Sequence, residues 1–355
     1  MNTKNDRLIA EDDLVVFCVT VLRKLGIPSD EAALITDSLV EADLRGVHSH
    51  GVIRLPIYVQ RLEAGVFNPR PSIRLVRETR TTAVMDGDNG MGQLVCRRAM
   101  ELAIAKAADG DPAWVGVRNS NHNGTESYFA QMAIEKDMIG FCFTIGGINH
   151  VIPWGGAEGM LGNNPFAIAL PAAEELPVIL DMACSVAARG KVNVAAARGE
   201  PIPEGWCTDS AGRPTTDAYE ALKGFVLPIA GPKGYALATT IGMLSTMLSG
   251  GAFGRDVTHL YDDFERPQNI GHLVGVLPIV SFVEVDEFKR RMDKGIREIK
   301  GARKRPGVAE IFLPGEREHR TLVERRKSGI PLADGTIDEL QVLSAKFGAP
   351  LRLLP

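Results

Sequence analysis

The sequence predicts an α/β protein in which a sheet domain, roughly residues 79–284, is flanked in the chain by two helical ends that pack together. Three observations carry this. Apolar residues recur at helical spacing through the first sixty or so positions, and short apolar runs ended by Gly, Asn, Asp or Pro fill the middle. A helical, basic texture then returns after residue 284. At 355 residues, 45% hydrophobic and 24% charged, the chain has the balance of a globular protein with a sizeable core and more than one domain.

In chain order, Leu14, Val15, Cys18, Val19 and Leu22 share one helix face, and Gly26 with Pro28 ends that helix. Ser29 reads as the N-cap of a second helix, with Asp30 and Glu31 in the first turn, where the helix dipole favours acid. It runs through Leu34, Ile35, Leu39 and Val40 to about Leu44 and stops at Gly46. A third helix starts near His50 and ends at Gly65, completing a helical region over residues 1–78. From Thr81, TTAVMDGD reads as strand and turn, and Gly90 to Gly92 open a helix from Gln93 to about Ala108. WVGVRNS, IGFCFTIGG, NPFAIALP and PVILDMA are strand signals of a buried sheet. TESYFAQMAIEKDM and YALATTIGMLSTMLSG supply helical cover, the second with small residues that suit close packing. LVGVLPIVSFVEV reads as a late strand pair, and residues 285–355 turn helical and meet the N-terminal region.

Composition excludes several classes. A net charge of −4 lacks the cationic surplus that nucleic-acid binding needs, and FKRRMDKGIREIKGARKR, interrupted by Asp293 and Glu298, reads as a solvated helix face. The five cysteines are widely spaced with no CxxC pair, so they read as buried reduced thiols and not as disulfides or metal ligands. The N-terminus is polar and acidic, unlike a secretory signal, and the most apolar windows are too short or interrupted to span a bilayer. These features predict a cytoplasmic chain with no membrane partner. G-x-G-x-x-G has no match, and GDNGMG has the wrong spacing. G-x-x-x-x-G-K-[ST], G-x-S-x-G and H-E-x-x-H are also missing. Any dinucleotide bound here is held without the usual fingerprint.

Chemistry concentrates in GVHSHGVIRLPIYVQRL, Gly46 to Leu62. His50, Arg54 and Tyr58 are four apart and share a face if helical, although Pro56 is comfortable only in a first turn and so leaves His50 on the preceding bend. An arginine that forks onto a carboxylate, beside a histidine that moves a hydroxyl proton, is the minimum for handling a 2-hydroxy or 2-oxo acid. A capping histidine with a surface arginine fits the same spacing. His48 with His50 lacks acidic or Cys partners for zinc. His122, in the loop RNSNHNGTESYF, and His150, in GINHVIPWGG, are further candidates. His259, His272 and His319 carry no supporting context.

Seven segments in register then resemble one family. ADLRGVHSHGVIRLPIYVQRLEAG, RNSNHNGTESYFAQMA, PWGGAEGMLGNNPFAIALP, DMACSVAARGKV, IPEGWCTDSAGRPTTD, GPKGYALATTIGMLS and LYDDFERPQNIGHL resemble the type-2 malate/L-lactate dehydrogenases, in a likeness that extends from about residue 8 to 330. That family includes ureidoglycolate and sulfolactate dehydrogenases, diketogulonate reductase and piperideine-carboxylate reductases. The resemblance implies a homodimeric NAD(P)-dependent oxidoreductase, with NAD favoured and NADP the alternative. It also implies a non-Rossmann, largely antiparallel dinucleotide domain and a small carboxylate substrate.

By the same resemblance, His50 is the proton donor or acceptor with Ser49 beside it, and His122 is a second candidate for that role. Arg54 holds the substrate carboxylate, and Tyr58 lines the same pocket. Gly162, Asn163, Asn164 and Pro165 match a pocket turn in which Asn163 replaces the usual Thr. Thr144, the run Asp181, Met182, Ala183, Cys184, Ser185, Val186 and Ala187, then Pro232, Lys233, Gly315, Glu316 and Arg317, match cofactor contacts. Thr144-Ile145-Gly146-Gly147 departs from the family pattern. The run from GPKGYALATTIGMLS to LYDDF leans toward the ureidoglycolate enzymes. Reduction of a cyclic imino acid and non-catalytic dinucleotide binding are the alternative functions.

Overall fold

A computed structural model describes residues 7–354. Seven strands form one mixed sheet in the order Arg74–Glu78, Thr82–Asp86, Ala113–Ser120, Ile270–Pro278, Met138–Thr144, Phe166–Leu170, Val178–Met182. Only Thr82–Asp86 and Ala113–Ser120 pair in parallel; the other neighbours are antiparallel. The parallel pair needs a crossover, which the helix Gly92–Lys106 provides. Its Val95, Cys96, Ala99, Met100 and Ala103 bury one sheet face with Val115, Val117, Cys142 and Val274. The α/β expectation is met.

The central strand comes last in sequence. Ile270–Pro278 is buried along almost its whole length between strands that lie more than a hundred residues earlier. Gly275 belongs there because a Cβ would stand 2.2 Å from the Trp114 ring. The helix Pro232–Met247 covers the other face, and its small residues allow the close approach their spacing predicts. A Cβ at Gly242 would meet Asn164 Nδ2 at 2.7 Å and the Phe253 ring at 2.9 Å.

Both chain ends build one helical layer. Glu11–Lys24, Ser29–Leu44 and Leu55–Glu63 share a core with Glu316–Ser328 and Asp334–Phe347, through Phe17, Ile35, Leu39, Tyr58, Leu322, Ile337 and Leu340. The strand Arg7–Ile9 pairs antiparallel with Ile330–Leu332. All five cysteines are free and buried. No helix among the described residues is long and apolar enough to cross a membrane.

Several expected elements differ. The late strand pair is a single strand. After Pro278, Ile279 turns its N–H to Asp137 O (3.3 Å), and Ile279–Ser281 is a 3₁₀ turn leading into the helix Val285–Gly301. Val280 and Phe282 are therefore exposed, not alternating on a sheet face. Ser29 is the first helical residue and not the cap: extended Pro28 holds the N-cap position, and no side chain caps that end. The third helix begins at Leu55, with Pro56 in its first turn, after separate 3₁₀ turns at His48–His50 and Val52–Arg54. TESYFAQMAIEKDM makes only the short helix Ser127–Ala130 and a 3₁₀ turn, Gln131–Lys136, ended by left-handed Asp137. The helices Arg189–Arg198 and Ala218–Lys223 form an unforeseen small unit around Val192, Ile202, Cys207 and Val226.

Candidate active site

The helix Ser29–Leu44 ends on a buried carboxylate that shapes the next turn. Asp43 is 1% exposed; its Oδ1 lies 2.7 Å from His48 Nδ1, and its Oδ2 accepts the Val52 N–H at 2.7 Å. A Cβ on Gly51 would lie 2.2 Å from that carboxyl, so only glycine lets the backbone pass. Arg325 Nη1 donates to His48 Nε2 at 2.8 Å, which leaves the Nδ1 proton to face Asp43. His48 is thus a brace between the two chain ends, and its neighbours Ser49 and His50 are left facing a cleft.

In that cleft Ser49 Oγ sits 2.9 Å from His50 Nδ1, and Arg54 Nε donates to Ser49 O at 2.6 Å. Although His50 and Arg54 do not share a helix face, the two successive 3₁₀ turns still bring them together. The His50 and His122 rings stack with centroids 5.4 Å apart and planes at 17°. Behind them, buried Tyr58 has its hydroxyl 2.6 Å from His122 Nδ1 and accepts from Gln93 Nε2 at 3.0 Å. With one lone pair taken by Gln93, the phenol's own proton points to His122.

The electrostatics favour neutral rings. Burial first, then the Arg54 charge, pushes His50 down to about 3; the ring keeps some solvent contact, but packed walls surround it. Burial, with His50 and Arg54 nearby, also holds His122 well below the usual histidine range. Tyr58 is raised to about 12 by burial, against the opposing pull of Arg54, so it stays a neutral donor. Burial also lowers Arg54, partly countered by Tyr58. Two neutral imidazoles beside one guanidinium can accept a proton next to a bound anion.

The cleft has a volume of about 1300 Å³. Its lining includes Ser49, His50, Arg54, His122, Thr144, Asn163, Pro165, Asp181, Met182, Ala183, Ser185, Gly315 and Arg317 among the residues expected from sequence. Tyr58 lies behind the wall. Gly162 and Asn164 act as scaffold: Asn164 Oδ1 accepts the Gly146 N–H (3.2 Å), its Nδ2 donates to Ala238 O (2.9 Å), and Gly162 abuts Gly146. The divergent Ile145-Gly146-Gly147 loop is therefore packed against the Gly162–Pro165 turn. Cys184 also faces inward, its Sγ donating to Asn164 O at 3.2 Å. Val186, Ala187, Pro232, Lys233 and Glu316 lie outside the lining, Lys233 exposed at a helix start and Glu316 buried against Lys300 and Arg320.

Other histidines find plain roles. His272 is fully buried below Thr144, bridging Thr144 Oγ1 (2.7 Å) and Ser120 Oγ (2.9 Å), and burial lowers it to about 3. His150 lines the cleft, its Nδ1 bonded to Ile148 O at 3.1 Å and burial lowering it to about 4. Sequence reasoning missed Asp43, Gln93 and Tyr261, whose hydroxyl accepts from Arg54 Nη1. Tyr261 stood inside the quoted LYDDFERPQNIGHL segment but carried no assigned role.

A mixed sheet with helical cover and a cleft pairing imidazoles with a guanidinium is equipment for moving a proton on a small bound anion. The profile described as malate/L-lactate dehydrogenase matches residues 9–341, and the chain belongs to that family. It is 41% identical over 348 residues to a malate dehydrogenase of Pyrococcus abyssi, covering 96% of this chain and 95% of that one. It is 36% identical to the NAD(+) ureidoglycolate dehydrogenase of Escherichia coli K12, covering 87% of each, so overall identity does not support the ureidoglycolate lean. The sulfolactate dehydrogenase structure from Methanocaldococcus jannaschii superposes with a TM-score of 0.91 at 38% identity, covering 97% of this chain and 98% of that one. The chain is accordingly an oxidoreductase of the dehydrogenase type.

Proposed function

We propose that this enzyme interconverts a small 2-hydroxy acid and its 2-oxo acid, using NAD as cofactor with NADP the alternative. The observation that carries the reading is the stacked His50–His122 pair, held neutral beside Arg54 in one cleft. The donor set fits a dinucleotide. A volume of about 1300 Å³ exceeds the roughly 300–1,000 Å³ usual for drug-sized ligands, and Arg189, Lys223 and Arg317 on the walls suit a diphosphate. Thr144, Asp181, Met182, Ala183, Ser185, Gly315 and Arg317 would hold it, with Cys184, Val186, Ala187 and Glu316 supporting them from behind the lining. The non-Rossmann sheet domain expected over residues 79–284 also takes in the edge strand Arg74–Glu78, five residues earlier, and is set against the helical ends 1–78 and 285–355. Pro232 and Lys233 belong to the same proposal as more distant contacts. The working form in this reading is a cytoplasmic homodimer.

When bound, nicotinamide supplies or accepts the hydride at C2 of the substrate. Arg54 forks onto the substrate carboxylate and fixes its orientation. His50, whose Nδ1 is engaged by Ser49, offers Nε2 to the C2 hydroxyl and takes its proton during oxidation or returns it during reduction. His122, oriented by Tyr58 and Gln93, stacks on His50 and is the second candidate for the same proton. The turn Gly162–Pro165 walls the pocket.

The test is a panel of malate, sulfolactate, lactate, ureidoglycolate and piperideine carboxylate with their oxidised or reduced counterparts, followed at the nicotinamide absorbance with each cofactor. Turnover of the imine alone supports the imino-acid alternative, and cofactor affinity without any turnover supports a binding protein. His50→Ala should cut kcat by about 10²–10⁴-fold while the cofactor dissociation constant stays near wild type. Wild-type turnover in that variant removes His50 from the chemistry.

A further inference from the structure

We infer that Arg61 is a positioning residue that sets substrate affinity through Tyr261, a second donor to the carboxylate held by Arg54; this rests on the proposed reading of Arg54. Arg61 lies on the helix Leu55–Glu63 and is 0% exposed. Its guanidinium forks onto one loop: Nη1 donates to Leu260 O (3.0 Å) and Asp263 O (2.7 Å), and Nη2 donates to Arg266 O (3.2 Å). Its Cζ also lies over the rings of Phe67 and Phe264, 5.2 and 5.6 Å from their centroids. A buried cation is costly unless its donors are used; three backbone carbonyls with two ring faces offset that cost in a geometry an ammonium cannot copy, although Nε has no partner among the described residues.

What this cation holds is a stretch with no helix or strand of its own, between Thr258 and Asn269. Leu260 N–H reaches Gly147 O at 3.0 Å, so the loop also rests on the divergent Gly146-Gly147 segment. At its tip Tyr261, 39% exposed and lining the cleft, accepts a hydrogen bond from Arg54 Nη1, with the guanidinium 5.8 Å from its ring centroid. Because Arg54 donates into the phenol oxygen, the phenol proton is free to point elsewhere. A carboxylate arriving at Arg54 meets a guanidinium and an O–H together. One helix therefore sets both jaws of the clamp, Arg54 directly ahead of its N-terminus and Tyr261 at the end of the loop that Arg61 pins.

The test uses the full-length enzyme with oxaloacetate and NADH, reading KM for the acid, kcat, the NADH dissociation constant by fluorescence, and Tm. Tyr261→Phe should raise KM about 10- to 100-fold, the range for a lost hydrogen bond to a charged group, with kcat and NADH affinity within about two-fold. Arg61→Lys should raise KM comparably, and Arg61→Lys with Tyr261→Phe should be no worse than Tyr261→Phe alone. Phe264→Leu, which removes one ring face and leaves the Arg61 side chain itself unchanged, should raise KM more mildly and be silent in the Tyr261→Phe background. Additive effects, an unchanged KM in Arg61→Lys, or a loss confined to Tm overturn the inference. Arg54→Lys separates the two failures. If it raises KM while the Arg61 and Tyr261 variants do not, only the positioning role falls; if it leaves KM unchanged, the carboxylate clamp itself falls.

Discussion

Gly51 illustrates how the site is built one residue at a time. Its missing side chain leaves room for the Asp43 carboxyl, which in turn holds His48 and the Val52 N–H and so fixes the turn that presents His50. Gly51→Ala should lower stability by about 1–3 kcal/mol, the usual result of forcing an extra methyl into a filled space, and should lower kcat more than it changes cofactor affinity. Urea titration and steady-state kinetics read the two effects, and a variant with unaltered kcat would remove Gly51 from the presentation of His50. At this scale His50, Arg54 and His122 were legible because an imidazole and a guanidinium close in sequence, or in a polar loop after a strand, already suggest chemistry. Asp43, Gln93, Arg61 and Tyr261 were not. Their importance is a matter of partners in space, as with Arg61 and a loop some two hundred positions later, and spacing along the chain carries no such information.

Elements with a long apolar period were legible; short ones defined by tertiary contacts were not. Glu11–Lys24, Ser29–Leu44 and Pro232–Met247 follow their sequence patterns within a few residues. The late strand pair failed because VSFVEV alternates like a strand but has no strand edge waiting for it: Met138–Thr144 and Ala113–Ser120 already flank Ile270–Pro278. Arg74–Glu78 went unseen since every residue in it is exposed, leaving no apolar alternation to read. In the C-terminal helix Asp334–Phe347, Leu340 is fully buried in the core shared with the N-terminal helices. Leu340→Ala should therefore cost about 2–5 kcal/mol of unfolding free energy. A loss well under 1 kcal/mol in chemical denaturation would mean that the last helix is not integral to that layer.

For the molecule as a whole, buried titratable groups shape its pH stability. His50 and His272 are lowered to about 3 and His150 to about 4, so the folded state refuses protons that the unfolded chain binds near 6.5. Their contribution is complete above about 6.5 and is lost as pH falls toward 3 to 4. Glu126 runs the other way. Burial raises it to about 8 from the ordinary 4.5, against the hydrogen bonds from Cys142 Sγ and Asn123, so its contribution is complete below 4.5 and lost as pH rises through 8. Between 4.5 and 6.5 three histidines outweigh one carboxyl, which places the maximum near pH 6.5 for these four groups. A Tm series from pH 4 to 9 should peak there, and Glu126→Gln should flatten the alkaline side. A Tm that climbs steadily to pH 9 in the unmodified enzyme would contradict the assignment for Glu126.

The late arrival of Ile270–Pro278 at the middle of the sheet has a consequence for biosynthesis. Until the ribosome has released residue 278, Ala113–Ser120 and Met138–Thr144 lack the partner that joins them, and each exposes a bare row of N–H and C=O groups. Nascent chains arrested shortly before Ile270 should therefore be cut readily by protease between residues 113 and 144, and chains arrested well beyond Pro278 should resist. Equal resistance at both arrest points would mean that the two half-sheets find a temporary companion during translation.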